Sequence, residues 1–421
     1  METLARAAAQ VDWLGLGVNP DDVERMVATG EVEGVVTRLA RPVWERVFRG
    51  AGLGALAAMS DAEAARTIAK AVTARHGPAV DAFRRLALCL RLVSGKRADA
   101  LALVEDALKQ LEKEGNLPRV TEKAPPASKS VPLRDRHVAI AFDLLEHDPR
   151  RLILYPLLDR AVRVSYRAYV PDRLTGGPGA GQIAALTYGF VEATIERALG
   201  AAQGVRLDEV VAVDPWRFVF LREQGSVRIV ETEDGGVLAP AVERHILKFG
   251  SDGRLEVSGG AVAVRLAEAL MSTAAPVRYV PYQPESGREA VRDVLLRLVE
   301  GRLPGATVER VLLSYSSFEI EARGDLAAAL RTLAGVPAGP TGRGGEPVAA
   351  APEGGWTDRV SELVLSVALE PGSALRFTLW FEEVKAENGV RVTYRAASAG
   401  LREREAFERE AARWGIAVSP R

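Results

Sequence analysis

The sequence predicts a multidomain α+β protein: an N-terminal all-α helical bundle, then mixed α+β modules built from antiparallel hairpins covered by helices. Three observations predict it. Residues 1–115 carry apolar side chains at spacings of three and four, with capping residues between the runs. From Leu133 onward short alternating segments, the mark of half-buried strands, interleave with helical ones. Two stretches rich in Pro, Gly, Ala and small polar residues, 116–132 and 336–355, punctuate the chain. A chain of 421 residues is also too long for one ordinary hydrophobic core. The expected organisation is a bundle over 1–115, a linker over 116–132 and a central α+β domain over 133–335. A flexible linker over 336–355 and a small α+β module over 356–421 follow.

Within the bundle, Asn19-Pro20-Asp21-Asp22 opens a helix that Gly30 closes. Ser60 and Glu63 have the spacing of a capping box, for a helix ending near His76-Gly77. Pro78 begins the next helix, with Val80, Phe83, Leu86, Leu90 and Val93 on its apolar face. Ala98 to Glu114 form another. Later, "AVRVSYRAYV" (161–170) alternates as a strand, and Gln182 to Leu199 reads as a helix. "WRFVFLREQGSVRIVETEDGG" reads as a hairpin turning at Glu223-Gln224-Gly225. Helices are expected over Ala261–Met271, Arg288–Leu303 and Leu401–Trp414. A strand is expected at "VSELVLSVALE", and a hairpin about Asn388-Gly389.

Composition excludes several classes. Basic and acidic side chains balance at 55 against 56, so no strong long-range attraction to nucleic acid or membrane is expected. Only 126–175 is locally basic, with nine Lys/Arg against six Asp/Glu. A single cysteine, Cys89, rules out an internal disulfide or a multi-thiolate metal site. No run approaches the roughly 18 apolar residues of a membrane span. The opening "METLARAAAQVDWLGLG" lacks the pattern of a signal peptide, so a cytoplasmic protein without membrane association is expected. Heavy use of Ala, Arg and Gly suggests a GC-rich bacterial source.

Gly176 and Gly181 bracket four residues as in a phosphate-binding loop, but Gln182 and Ile183 stand where the lysine and hydroxyl belong. Pro178 removes one N–H from the cradle. What remains is an anion site at a helix N-terminus, formed by Gly176, Gly181 and Gln182. Upstream, Arg160, Arg163, Arg167 and Arg173 suggest a phosphate-contacting surface. Arg163 and Arg167 would share a face as i, i+4 in helix or strand. His137 and His147, ten apart, lie beside Asp143, Glu146 and Asp148. Without tight H-E-x-x-H spacing they read as surface pairs, and no metal site is expected. Trp380 shares a strand side with Thr378 and Glu382, so it is the aromatic expected to be exposed for a partner.

No catalytic constellation or cofactor motif emerges. The expectation is therefore a non-enzymatic binding or scaffold subunit of a bacterial complex, contacting protein partners through several modules. One alternative is a nucleic-acid-associated subunit using the arginine surface. The other is an enzyme or sensor taking a phosphorylated ligand at the glycine loop.

Overall fold

The computed structural model describes residues 11–172, 177–199, 204–232, 235–272, 276–282, 284–314, 319–323, 356–370, 373–384, 389–396 and 399–421. The chain is mixed α+β, helical first and sheet-forming later. It divides into two compact units, one of residues 1–164 with 211–218, the other of 165–210 with 219–421. The linker expected over 336–355 lies outside the described residues.

In the first unit, helices follow their caps. They are α1 (Pro20–Thr29), α2 (Val32–Val36), α3 (Arg41–Arg49), α4 (Asp61–Thr73), α5 (Gly77–Val93), α6 (Ala98–Lys113), α7 (Val120–Lys123), α8 (Leu133–His147) and α9 (Leu154–Arg163). The Asn19 side chain accepts the N–H of Asp21 at the head of α1, and Gly30 closes it at φ 76°. Ser60 and Glu63 cap α4 reciprocally. Helix α5 is buried nearly all round, through Val80, Phe83, Leu86, Cys89 and Val93, so it is the central helix. Burial pushes the Cys89 thiol well up, which leaves it inert.

Residues 116–132, expected as a linker, are packed. Leu117, Val120, Ala124 and Val131 are buried. The buried Arg136 guanidinium donates to the carbonyls of Thr121 (2.9 Å), Ala124 (3.0 Å) and Pro125 (2.8 Å). Its charge is met by Glu105, 3.1 Å away. One arginine on α8 thus satisfies backbone that proline and glycine signals suggest is left to solvent. Burial would raise the Glu105 carboxyl, but hydrogen bonds from Arg136 and Lys109 outweigh it and hold it at about 2.

The strand expected over 161–170 divides. Residues 161–163 complete α9, because Ala161 and Val162 extend the buried face begun by Leu157 and Leu158. The strand itself starts only at Arg167. It is β1 (Arg167–Pro171), one member of a six-stranded sheet with β2 (Val205–Val213), β3 (Trp216–Thr232), β4 (Gly235–Gly250), β5 (Leu255–Ser258) and β6 (Tyr279–Pro281). Their order is β2-β3-β4-β5-β1-β6. Helices α10 (Ala180–Ala184), α11 (Tyr188–Leu199) and α12 (Ala261–Met271) pack Ile183, Val191, Ile195, Leu266 and Leu270 against Val219, Leu247, Phe249 and Val257. The single helix expected from Gln182 to Leu199 is therefore two. Nor does the chain turn at Glu223–Gly225: β3 runs straight through, and Gln224 N–H donates to Gly204 O (3.2 Å). Glycine there weakens a strand without ending it.

The second sheet has seven strands: β7 (Glu285–Gly287), β8 (Ala306–Ser314), β9 (Glu319–Arg323), β10 (Val360–Glu370), β11 (Ser373–Val384), β12 (Gly389–Arg395) and β13 (Val418–Pro420). Their order is β13-β12-β11-β10-β8-β9, with β7 on β12. Helices α13 (Arg288–Val299) and α14 (Leu401–Trp414) join its core, where Phe407 stacks on Phe377 at 3.9 Å between ring centroids. The β11–β12 hairpin pairs Phe381 with Val392 and Val384 with Gly389. Asn388 lies outside the described residues. Strand β8 pairs antiparallel with β10, Val311 opposite Leu363, so segments assigned to a central domain and a terminal module form one sheet. The sheets also share a buried ionic cluster. Lys248, 0% exposed, donates to Glu256 (3.0 Å) and Glu405 (2.8 Å). Arg254 donates to Glu408 (3.0 Å), which also accepts from Tyr394 Oη (2.9 Å).

Candidate ligand-binding site

The arginines expected to form one surface fall in different elements. Arg160 and Arg163 lie on the last turn of α9, whereas Arg167 lies on β1 in the other unit. The i, i+4 relation fails because helix gives way to strand between them. Arg163 grips Asp159 (2.9 and 3.1 Å) and the Gly95 carbonyl (2.8 Å). Arg173 and Gly176 lie outside the described residues. Gly181 and Gln182 sit in the five-residue α10. There the Gln182 side chain accepts the Gly179 N–H (2.8 Å) and donates to Met271 O (3.2 Å). It thus occupies an N–H that an anion would need. Trp380 is half-buried: its indole N–H donates to Glu362 (2.8 Å) and the Arg421 guanidinium lies 4.5 Å from its ring centroid.

Glu223, Glu243 and His245 bring one ligand atom each within 4.8 Å of one another. His245 Nε2 already lies 2.8 Å from Glu223, and its buried Nδ1 packs against Gly259 with no partner among the described residues. A metal-bound imidazole normally donates its second N–H to an acceptor. The trio is better described as a His–Glu pair on adjoining strands with a second carboxylate nearby.

The first unit contains a cavity of about 700 Å³, within the range of small-molecule sites. The end of α3, the first turns of α5, α7 and the last turns of α8 line it, and it is partly open to solvent. Val47, Ala51, Ala82, Val120 and Phe142 give it apolar walls, and Arg46, Arg85, Lys123, Asp81, Asp143 and Glu146 bring charge to them. Helical spacing explains the convergence. Asp143, Glu146 and His147 stand at i, i+3 and i+4 on α8, and Pro78, Asp81, Ala82 and Arg85 share a stripe of α5. His76, also on the wall, occupies the N-cap position of α5 and not the end of the preceding helix.

Asp143 is the chemically exposed point of this wall, although only 5% accessible. Arg46 Nη2 lies 2.7 Å from its Oδ2, yet off the line a hydrogen bond requires, and Oδ2 has no hydrogen-bond partner among the described residues. The other Arg46 nitrogen donates to the Lys123 carbonyl (2.6 Å), which fixes α7 beside the cavity. Burial pushes the Asp143 carboxyl up to about 6, against the opposing pull of Arg46, His147 and Lys123 and with the help of Glu146. Arg85 pairs with Glu146 (3.2 Å) and lies over the Phe142 ring (5.5 Å). Lys123 and His147 form no ion pair or side-chain hydrogen bond among the described residues.

The two histidines flanking this helix part company. His147 reaches the cavity, whereas His137 is 0% exposed and meets Tyr155 at 3.3 Å through Nδ1. Burial lowers His137 to about 4, so it is neutral in the folded chain at pH 7. Sequence reasoning reached Asp143, Glu146 and His147 but placed them on a solvated surface. The missed signal is Asp143 itself, a lone carboxylate inside the apolar run "VAIAFDLL". No protein-family model, curated protein or solved structure matches this chain.

Proposed function

We propose that this chain is a binding protein whose helical unit receives a small molecule in the cavity between α3, α5, α7 and α8. One observation carries the reading: a buried carboxylate, Asp143, stands at the wall of a sizeable cavity, ion-paired with Arg46 but with no aligned hydrogen bond to Oδ2 among the described residues. Buried polar atoms are ordinarily hydrogen-bonded, and leaving one without a hydrogen bond costs about 1–3 kcal/mol, of which the Arg46 ion pair offsets a part. A ligand donor recovers the rest. Perturbed carboxyls inside clefts also mark functional sites more often than chance.

The test is a thermal-shift screen of the full chain against amino acids, amines, carboxylates, sugars and nucleotides. A ligand at 100 times its Kd adds about 2.7 kcal/mol of stability. The expected result is a rise in Tm with at least one class, abolished in Ala82→Phe, which places a ring in the cavity. No rise with any class refutes the reading. So does a rise that survives in the filled variant.

A further inference from the structure

Resting on that reading, we propose that the ligand is a small zwitterion, an amino acid or short peptide, held by its ammonium at Asp143 and by its carboxylate near Lys123 and His147. Two independent features of the wall argue for both charges on one molecule.

The first is the free acceptor capacity of Asp143. Its carboxylate can take about four hydrogen bonds, whereas Arg46 gives it an ion pair at 2.7 Å and no aligned hydrogen bond reaches Oδ2 among the described residues. A group with several N–H donors, of which a primary ammonium is the compact example, uses the carboxylate's remaining acceptor capacity better than a hydroxyl or a carbonyl. Charge assistance makes such bonds roughly twice as strong as neutral ones.

The second is the charge around it. Arg46 already faces Asp143, and Lys123 and His147 lie close enough to act on it electrostatically. A ligand carrying positive charge alone would enter against these three cationic or protonatable groups. A ligand carrying negative charge alone would meet Asp143 and Glu146. The wall holds three permanent positive side chains, Arg46, Arg85 and Lys123, against three acidic ones, Asp81, Asp143 and Glu146. Arg46 and Arg85 are committed to Asp143 and Glu146, so Lys123 is the cation left to receive a carboxylate. That balance suits a molecule that is neutral overall and charged at both ends. The apolar walls formed by Phe142, Val47 and Val120 would take its side chain.

The experiment is calorimetric titration of the full chain with leucine and alanyl-leucine, beside 3-methylbutylamine and 4-methylpentanoate, which keep the side chain and lose one charge each. At least one zwitterion should bind at least tenfold more tightly than either single-charge probe. Asp143→Asn should weaken it tenfold or more, and Lys123→Met should weaken it while leaving amine binding unchanged. Asn at 143 is isosteric and uncharged, so its fold is checked by an unchanged circular-dichroism spectrum. Amine binding as tight as the zwitterion, or acid binding as tight, overturns the zwitterion and leaves a ligand-binding protein standing. Silence from all four probes, with a hit of another class in the wider screen, does the same. Silence in both experiments overturns the binding reading itself.

Discussion

Replacing Asp143 by Asn should change the pH dependence of stability in a direction and amount that the structure sets. The folded chain holds this carboxyl at about 6 against an ordinary 3.8. A raised carboxyl value means the fold prefers the protonated acid. Its stabilising effect is complete below pH 3.8 and is lost as pH rises through 6. Linkage puts the penalty of the ionised form at about 0.5 kcal/mol at pH 4, about 1.5 at pH 5 and about 3 at pH 7. Asn carries no such penalty at any pH. Removing the partner of Arg46 adds an offset that does not vary over this range, so the slope is the diagnostic quantity. Between pH 5 and 7 the variant should gain about 1.5 kcal/mol on the wild type, or about 3–6 °C in Tm for a unit of this size. Thermal unfolding of both full-length chains, followed at 222 nm from pH 4 to 8, measures it. Parallel Tm curves would refute the assignment of a buried, strained carboxylate to this wall.

His137 acts in the opposite sense. Held at about 4 by burial, it costs the fold as pH falls from about 6.5 toward 4, because the unfolded chain takes the proton first. Its imidazole resonances should therefore titrate near 4 by NMR, and a midpoint near 6.5 would contradict its burial against Tyr155. Arg136→Met should cost about 3–5 kcal/mol, since it leaves Glu105 with Lys109 alone and takes this donor from three carbonyls. Limited proteolysis should then cut within 116–132, where the wild type resists. Phe407→Ala should cost about 3–5 kcal/mol by opening the stack on Phe377, and a loss below 1 kcal/mol in denaturant titration would show that contact to be loose.

Local chemistry was legible in the sequence; the partners of each segment were not. Strand β10 and helices α12 and α14 fall where alternation and three-four spacing place them, because burial on one face dictates both the period and its limits. Ala161 and Val162 misled because two adjacent apolar residues satisfy a helix and a strand alike. The proline-rich 116–132 misled because its backbone partner, Arg136, lies beyond it in sequence and looks like an ordinary charged residue. Likewise Asp143, Glu146 and His147 are visible as one helical stripe. Their cavity is not, since Arg46, Arg85 and Lys123 come from three other helices. Gln182 was flagged for lacking a lysine's charge, whereas its contribution is to cap Gly179.

The pairing of β8 with β10 has a consequence for synthesis. Strand β8 leaves the ribosome with β9 as neighbour on one edge, while its other edge waits for a strand encoded more than forty residues later. Until β10 arrives, the N-terminal unit can be complete while the second sheet still offers an unpaired row of N–H and C=O groups beside Val311 and Leu313. Such edges recruit strands from other molecules. The interval between those two strands is therefore when a nascent copy is most exposed to mispairing, and slowing translation there should raise the aggregated fraction.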